Sequence, residues 1–158
     1  MTSATELLSA AGFDNASAIV KAAADSGLPL GVAVALIAKE SMGANVYGHD
    51  VGGYRPADVV TQANFAQFYQ AVVVDKNTSN GVGPCQITYP GYFSQNPNYA
   101  WWDPYSNMLF GFNLLKGYLN GVYTDSALVA AGSTYNSGSA TGSASTYGRT
   151  FADLAETW

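Results

Sequence analysis

Leu30-Gly31-Val32-Ala33-Val34-Ala35-Leu36-Ile37-Ala38-Lys39-Glu40-Ser41-Met42 is apolar around nearly its whole circumference when wound at 3.6 residues per turn. A helix without a polar face belongs inside a domain. The stretch therefore predicts a buried helix over Leu30 to Met42. Its last turn carries a carboxylate, Glu40, on the face it shares with Ile37, Leu36 and Ala33. Gly27 and Pro29 close off the segment before it.

Working outward, Thr5 to Ala11 and Asn15 to Ser26 read as helices on the N-terminal side. On the other side, Gly43, Gly48, Gly52, Gly53 and Pro56 break any period over Gly43 to Val60. That span predicts irregular structure or a short hairpin. Thr61 then caps a helix reaching Val74, with Phe65, Phe68, Tyr69, Val72 and Val73 on its buried face. Asp75 to Pro84 is a polar loop. Asp103 before Pro104 is a carboxylate cap followed by proline at the first helical position. Met108, Leu109, Phe112, Leu115 and Leu119 give the helix that follows its apolar stripe, and Gly121 stops it. Thr124 opens a helix through Tyr135. Ser137 to Ser145 reads as a flexible Ser/Gly/Ala/Thr loop, and Tyr147 to Glu156 as a last short helix. The fold class expected is mainly α, with one long irregular stretch after the buried helix. The 158 residues suit one domain spanning 1–158.

Composition narrows the partners. Charged residues make up 11% of the chain, against about 25% in a typical domain. Its polar surface must rest on hydroxyls and amides, which suits a neutral, hydroxyl-rich ligand. The net charge is −5, and the four lysines and two arginines never cluster. Nucleic acid and anionic membrane surfaces both need grouped cations, so neither is an expected partner. No segment reaches the roughly 18 apolar residues of a membrane span. Cys85 is the single cysteine, so no internal disulfide is expected. Met1 to Leu8 lacks the pattern of a secretory signal, which points to synthesis in a cytoplasm and delivery by other means. One His and one Cys do not supply the usual metal clusters, so neither metal nor cofactor is expected, and the chain is expected to be monomeric.

Three features carry chemistry. A carboxylate on the apolar face of a buried helix loses hydration, which favours its neutral form and raises its pKa. A general acid at neutral pH needs that property. The plainer reading of Glu40 is a helix-end residue that reaches solvent or pairs with Lys39 or Arg149. Gly81-Val82-Gly83-Pro84-Cys85-Gln86-Ile87 is a forced turn that presents an amide. Its plainer reading is a turn into a strand. Tyr135-Asn136-Ser137-Gly138 ends a helix with a phenol that can hold a carboxylic acid, or with a core tyrosine and a glycine stop.

Together and in this order, the three features resemble the lysozyme-like superfamily of soluble lytic transglycosylases and goose-type lysozymes. Glu40-Ser41 resembles the catalytic Glu-Ser, Gly81 to Ile87 the glycine-rich turn ending in Gln-Ile, and Tyr135-Asn136-Ser137-Gly138 the Tyr-Asn-x-Gly motif. Tyr147 falls where that family often has a further tyrosine. Asn45-Val46-Tyr47-Gly48-His49-Asp50 and Ser79 to Pro84 are similar to the glycosidase domain of endolysins from phages of actinobacteria. The resemblance spans Leu30 to Phe151. It implies an α+β lysozyme-like fold and cleavage of the β-1,4 bond between N-acetylmuramic acid and N-acetylglucosamine in peptidoglycan. The protein would then wait in the host cytoplasm before release to the wall. Glu40 would be the acid and Tyr135 would orient it. Ser41, Gln86, Ile87, Tyr89, Asn136 and Tyr147 would contact the glycan strand. Trp101, Trp102, Tyr92 and Tyr47 are further candidates for stacking on sugar, each with core packing as the alternative.

The departure lies in the second carboxylate. An inverting hydrolase needs a base roughly 6.5–9.5 Å from the acid. Goose-type lysozymes place one Asp in the loop after the acid and another after the Gln motif. Here Thr88 and Tyr89 stand at the second place. Asp50 matches the first, with Asp58 behind it. Without either, the substrate's N-acetyl carbonyl would assist and a 1,6-anhydro sugar would form. Two other classes stay open: a wall peptidase or amidase using Cys85, His49 and Asp50, and a non-catalytic glycan-binding phage structural domain.

Overall fold

The computed structural model describes residues 1–138 and 145–158. It is mainly helical. Among the described residues the α-helices run α1 Ala4–Ala10, α2 Ala16–Ser26, α3 Leu30–Glu40, α4 Gln62–Tyr69, α5 Pro90–Gln95, α6 Pro104–Leu119, α7 Asp125–Ser137 and α8 Ser145–Thr157. The expected loop over 137–145 falls largely on 139–144, outside the described residues.

α3 is the axis. Val32 to Ile37 are six consecutive buried residues, as a helix without a polar face requires. α8 packs on α3 and α7, α2 on α3 and α6, and α6 on α7, so helices surround α3. Phe112, Leu115, Met108, Phe151 and Ile19 fill the space between them, all fully buried.

The caps explain the boundaries. Thr61 and Asn64 form a reciprocal box, the Asn64 N–H donating to Thr61 and the Thr61 N–H to the Asn64 side chain. Asp103 accepts from the backbone N–H and the hydroxyl of Ser106. Thr124 accepts from the Ala127 N–H. The helix expected to reach Val74 does so with a change of pitch: Gln70–Val74 is a π-helical turn. α6 stops one residue before Gly121, because Asn120 itself adopts the left-handed conformation (φ 49°).

Two expectations are corrected. α3 ends at Glu40, not Met42. Met42 turns left-handed (φ 57°) and its N–H reaches back to the Ile37 carbonyl at 2.8 Å, closing the helix. Gly43 then docks on the α1–α2 turn, where Asn15 donates to its carbonyl at 2.8 Å. α5 was not expected. Tyr89-Pro90 starts it with proline at its first position, and Phe93 anchors it in the core. The span between α3 and α4 holds one isolated antiparallel bridge, Val46 to Val59, is joined by another from Tyr47 to Val82 beyond α4, and forms no regular hairpin.

Candidate functional site

Glu40 is the last residue of α3, where the helix leaves the core for the irregular span. The Tyr147 hydroxyl, from α8, donates to its carboxylate at 2.5 Å. Burial raises the Glu40 pKa to about 7. The Tyr147 hydrogen bond and the nearby Lys39 charge oppose that rise, and the Asp50 charge adds to it. The Lys39 ammonium sits 4.8 Å from the centre of the Tyr147 ring. Arg149, the other cation the sequence offered to Glu40, is taken by Asp125 and Asp153. Glu40 therefore lacks a salt bridge and is held by a phenol.

The glycine-rich turn packs beside it. Val82 and Ile87 exchange both backbone hydrogen bonds, at 3.0 and 3.1 Å, so residues 83–86 form a tight loop. Gly83 (φ 73°) and Gln86 (φ 50°) take left-handed conformations in it. Two buried asparagines fasten this loop. Asn107 of α6 accepts from the Cys85 N–H and donates to the Val82 and Trp101 carbonyls. Asn80 donates to the Gly48 carbonyl and accepts from the N–H groups of Asp50 and Gly81. Asn80 falls in the stretch Ser79 to Pro84 noted for its resemblance, without a role, and Asn107 was not anticipated. The available signal was Asn107 standing beside Met108 in an apolar helix, since a buried amide is kept where its donors and acceptor are all used.

A cleft of about 540 Å³ opens over Glu40. Asp50, Gln86, Ile87, Tyr89 and Asn136 line it together with Glu40, so four segments distant in sequence meet at one cleft. Tyr92, Leu114 and Tyr118 form another part of its lining, and α6 supplies the last two. Tyr118 and Leu114 were not anticipated.

Other expected site residues take different places. Tyr135 borders the cleft, but its hydroxyl donates to the Cys85 carbonyl at 2.6 Å. The phenol on Glu40 belongs to Tyr147, so the orienting contact assigned to Tyr135 is corrected. The Tyr147 phenol donates as any protonated phenol can, and burial pushes its pKa far up. Ser41 does not border the cleft. Its hydroxyl donates to the Pro84 carbonyl at 2.7 Å and accepts from the Gly43 N–H at 3.0 Å, tying the end of α3 to the turn. The Gln86 amide donates to the Val46 and Gly83 carbonyls, both at 3.0 Å, so its N–H groups serve the loop while the side chain borders the cleft. Asp58 is exposed and paired with Arg55, away from the cleft lining. Tyr47 and Trp101 are core residues, the first donating to Asn64 and the second to the Asn96 carbonyl. Trp102 is half-buried against Phe65.

Cys85 is fully buried and burial drives its thiol pKa far up. His49 is exposed and contacts Arg55. The carboxylates that approach one another among the described residues, Asp125, Asp153 and Glu156, are exposed, and Arg149 bridges the first two. Comparison with family models, curated proteins and solved structures finds no match to this chain.

Proposed function

We propose that this protein cleaves the β-1,4 bond between N-acetylmuramic acid and N-acetylglucosamine in peptidoglycan, with Glu40 as general acid, as the catalytic domain of a phage endolysin. The observation that carries the reading is the pair of carboxylates at one cleft in unlike environments. Glu40 is desolvated, with a pKa raised to about 7. Asp50 is exposed at the same cleft. Carboxylates whose surroundings push their protonation apart supply an acid and a base at one pH. Glu40 would give its proton to the glycosidic oxygen as the bond to the anomeric carbon breaks. The Tyr147 hydrogen bond would keep the acid aimed at that oxygen and then stabilise the carboxylate left behind. Asp50 would take a proton from water attacking the opposite face, giving an inverted product with a reducing end.

The thiol-based rival is weakened on physical grounds. Nucleophilic attack needs a thiolate, and burial disfavours the thiolate of Cys85. His49 is engaged with Arg55.

Glu40→Gln tests the acid. Clearing of purified peptidoglycan should fall at least a thousandfold while the circular dichroism spectrum stays unchanged; near-normal clearing would remove Glu40 from the chemistry. Mass spectrometry of the wild-type products tests the base. Reducing-end muropeptides are expected, and products lighter by one water would replace Asp50 with the substrate's own N-acetyl group.

A further inference from the structure

All six cations of the sequence can be placed, and none borders the cleft. Lys21 pairs with Asp25 at 3.1 Å. Lys39 lies over the Tyr147 ring. Arg55 is joined to Asp58 and His49. Lys76 is exposed just past the π-helical turn. Lys116 donates to the Ser26 carbonyl at 2.9 Å. Arg149 holds Asp125 and Asp153. Residues 139–144 read Ser-Ala-Thr-Gly-Ser-Ala and add no charge. The acidic side chains facing the cleft are Glu40 and Asp50, the second exposed, on a chain of net charge −5. The rest of the lining offers amides (Gln86, Asn136), hydroxyls (Thr88, Thr134) and the phenol rings of Tyr89, Tyr92 and Tyr118. Tyr89 is 59% and Tyr118 38% exposed, and the Tyr89 and Tyr92 rings meet edge to face at 5.0 Å.

We infer that the cleft selects glycan segments that carry no anionic substituent, so that strands with amidated peptide stems, or with stems removed and the uncovered lactyl carboxylate amidated, are preferred over strands whose stems keep free carboxylates. This rests on the glycosidase reading above. Acetamido and hydroxyl groups of N-acetylhexosamines match neutral donors and acceptors, and sugar faces stack on phenol rings. A stem carboxylate brought to the same cleft meets the exposed Asp50 and finds no cation among the lining residues, Lys39 being placed over the Tyr147 ring outside that lining. Repulsion of this kind reaches far at low ionic strength and is screened at physiological salt, where the Debye length shrinks from about 30 Å at 0.01 M to about 8 Å at 0.15 M.

The test uses three strand preparations of equal length: stems intact, stems with carboxylates amidated, and stems removed with the lactyl carboxylate this uncovers amidated as well. The amidated strand keeps the bulk of the stem without its charge. At about 0.01 M salt, kcat/KM should be at least fivefold higher on the amidated and stripped strands than on the anionic one. Raising salt to about 0.15 M should bring the ratio towards one. Leu114→Lys, which puts a cation on the half-buried edge of the cleft, should narrow the ratio at low salt, with folding checked by circular dichroism. Equal rates on all three strands, faster cleavage of the anionic one, or a ratio insensitive to salt would each overturn the inference. Calorimetric binding of the same strands reads the preference without turnover. Loss of cleavage on every strand therefore removes the glycosidase reading alone, while equal affinity for all three removes the charge selectivity.

Discussion

At Glu40 two influences oppose each other. Burial penalises its charge, and the Tyr147 hydroxyl stabilises it. Removing the hydroxyl in Tyr147→Phe leaves burial less opposed, so the Glu40 pKa should rise above about 7. If the protonated form is the active one, activity falls as pH rises through that value. The alkaline limb of the pH–activity profile should then move to higher pH in the variant. Its kcat at pH 5 should fall roughly tenfold for want of a fixed acid. An unmoved alkaline limb would detach Tyr147 from the titration of Glu40. Stability follows the same group. Its folded-state pKa lies above the ordinary carboxylate value of 4.5. The folded protein therefore binds more protons between pH 4.5 and 7, and stability drains away as pH rises across that window. Glu40→Gln does not titrate. Its unfolding free energy should match the wild type near pH 4.5 and exceed it above pH 7, by at most about 3 kcal/mol. The sequence made Glu40 visible because a lone carboxylate on an apolar helix is out of pattern. It left open which tyrosine would reach it, since that depends on where α8 lies against α3.

Among the elements, helices were the legible part. Thr61, Asp103-Pro104 and Thr124 each mark a start that the structure keeps, because caps are local chemistry between residues three or four apart. The span between α3 and α4 was legible only as irregular. Its path is set by side chains from afar: Asn80 contacts Gly48 and Asp50 across about thirty residues, and Asn107 holds the glycine-rich turn from α6. No periodicity encodes such contacts. α5 escaped notice because six residues are too few to show a period. The turn's dependence on Asn107 can be measured. Asn107→Ala leaves the Cys85 N–H and the Val82 and Trp101 carbonyls without that partner in a dry interior. Unfolding in urea should cost about 3 kcal/mol less than in the wild type. Wall clearing should fall with it, because Ile87 and Gln86 line the cleft from the same turn. A loss below about 0.5 kcal/mol would show that the turn stands without its amide.

On the scale of the molecule, α3 is enclosed by helices drawn from both ends of the chain. Phe151 of α8 is fully buried, and at Gly132 of α7 a methyl group would sit 2.7 Å from its ring, so these two helices approach as closely as glycine permits. Phe151→Ala should lower global stability by about 3–5 kcal/mol, a large share of the 5–15 kcal/mol typical of a domain. Circular dichroism and tryptophan fluorescence should report one shared urea transition in the variant as in the wild type. Separate transitions would mean that α8 comes away while the other helices stay folded. That the core would centre on residues 30–42 was legible from hydropathy alone. The cleft was legible as a set of motifs with Tyr92 among the stacking candidates, but Leu114 and Tyr118 were not, because they stand off the apolar stripe of α6.

The hydrogen bond between Tyr147 and Glu40 joins residues 107 positions apart. During synthesis Glu40 emerges 107 residues ahead of Tyr147. A nascent chain can wind α3 and bury its apolar length long before the phenol that steadies the carboxylate exists. The carboxylate is thus steadied only once residue 147 has been made, and a chain interrupted before that point would leave Glu40 unheld by its phenol.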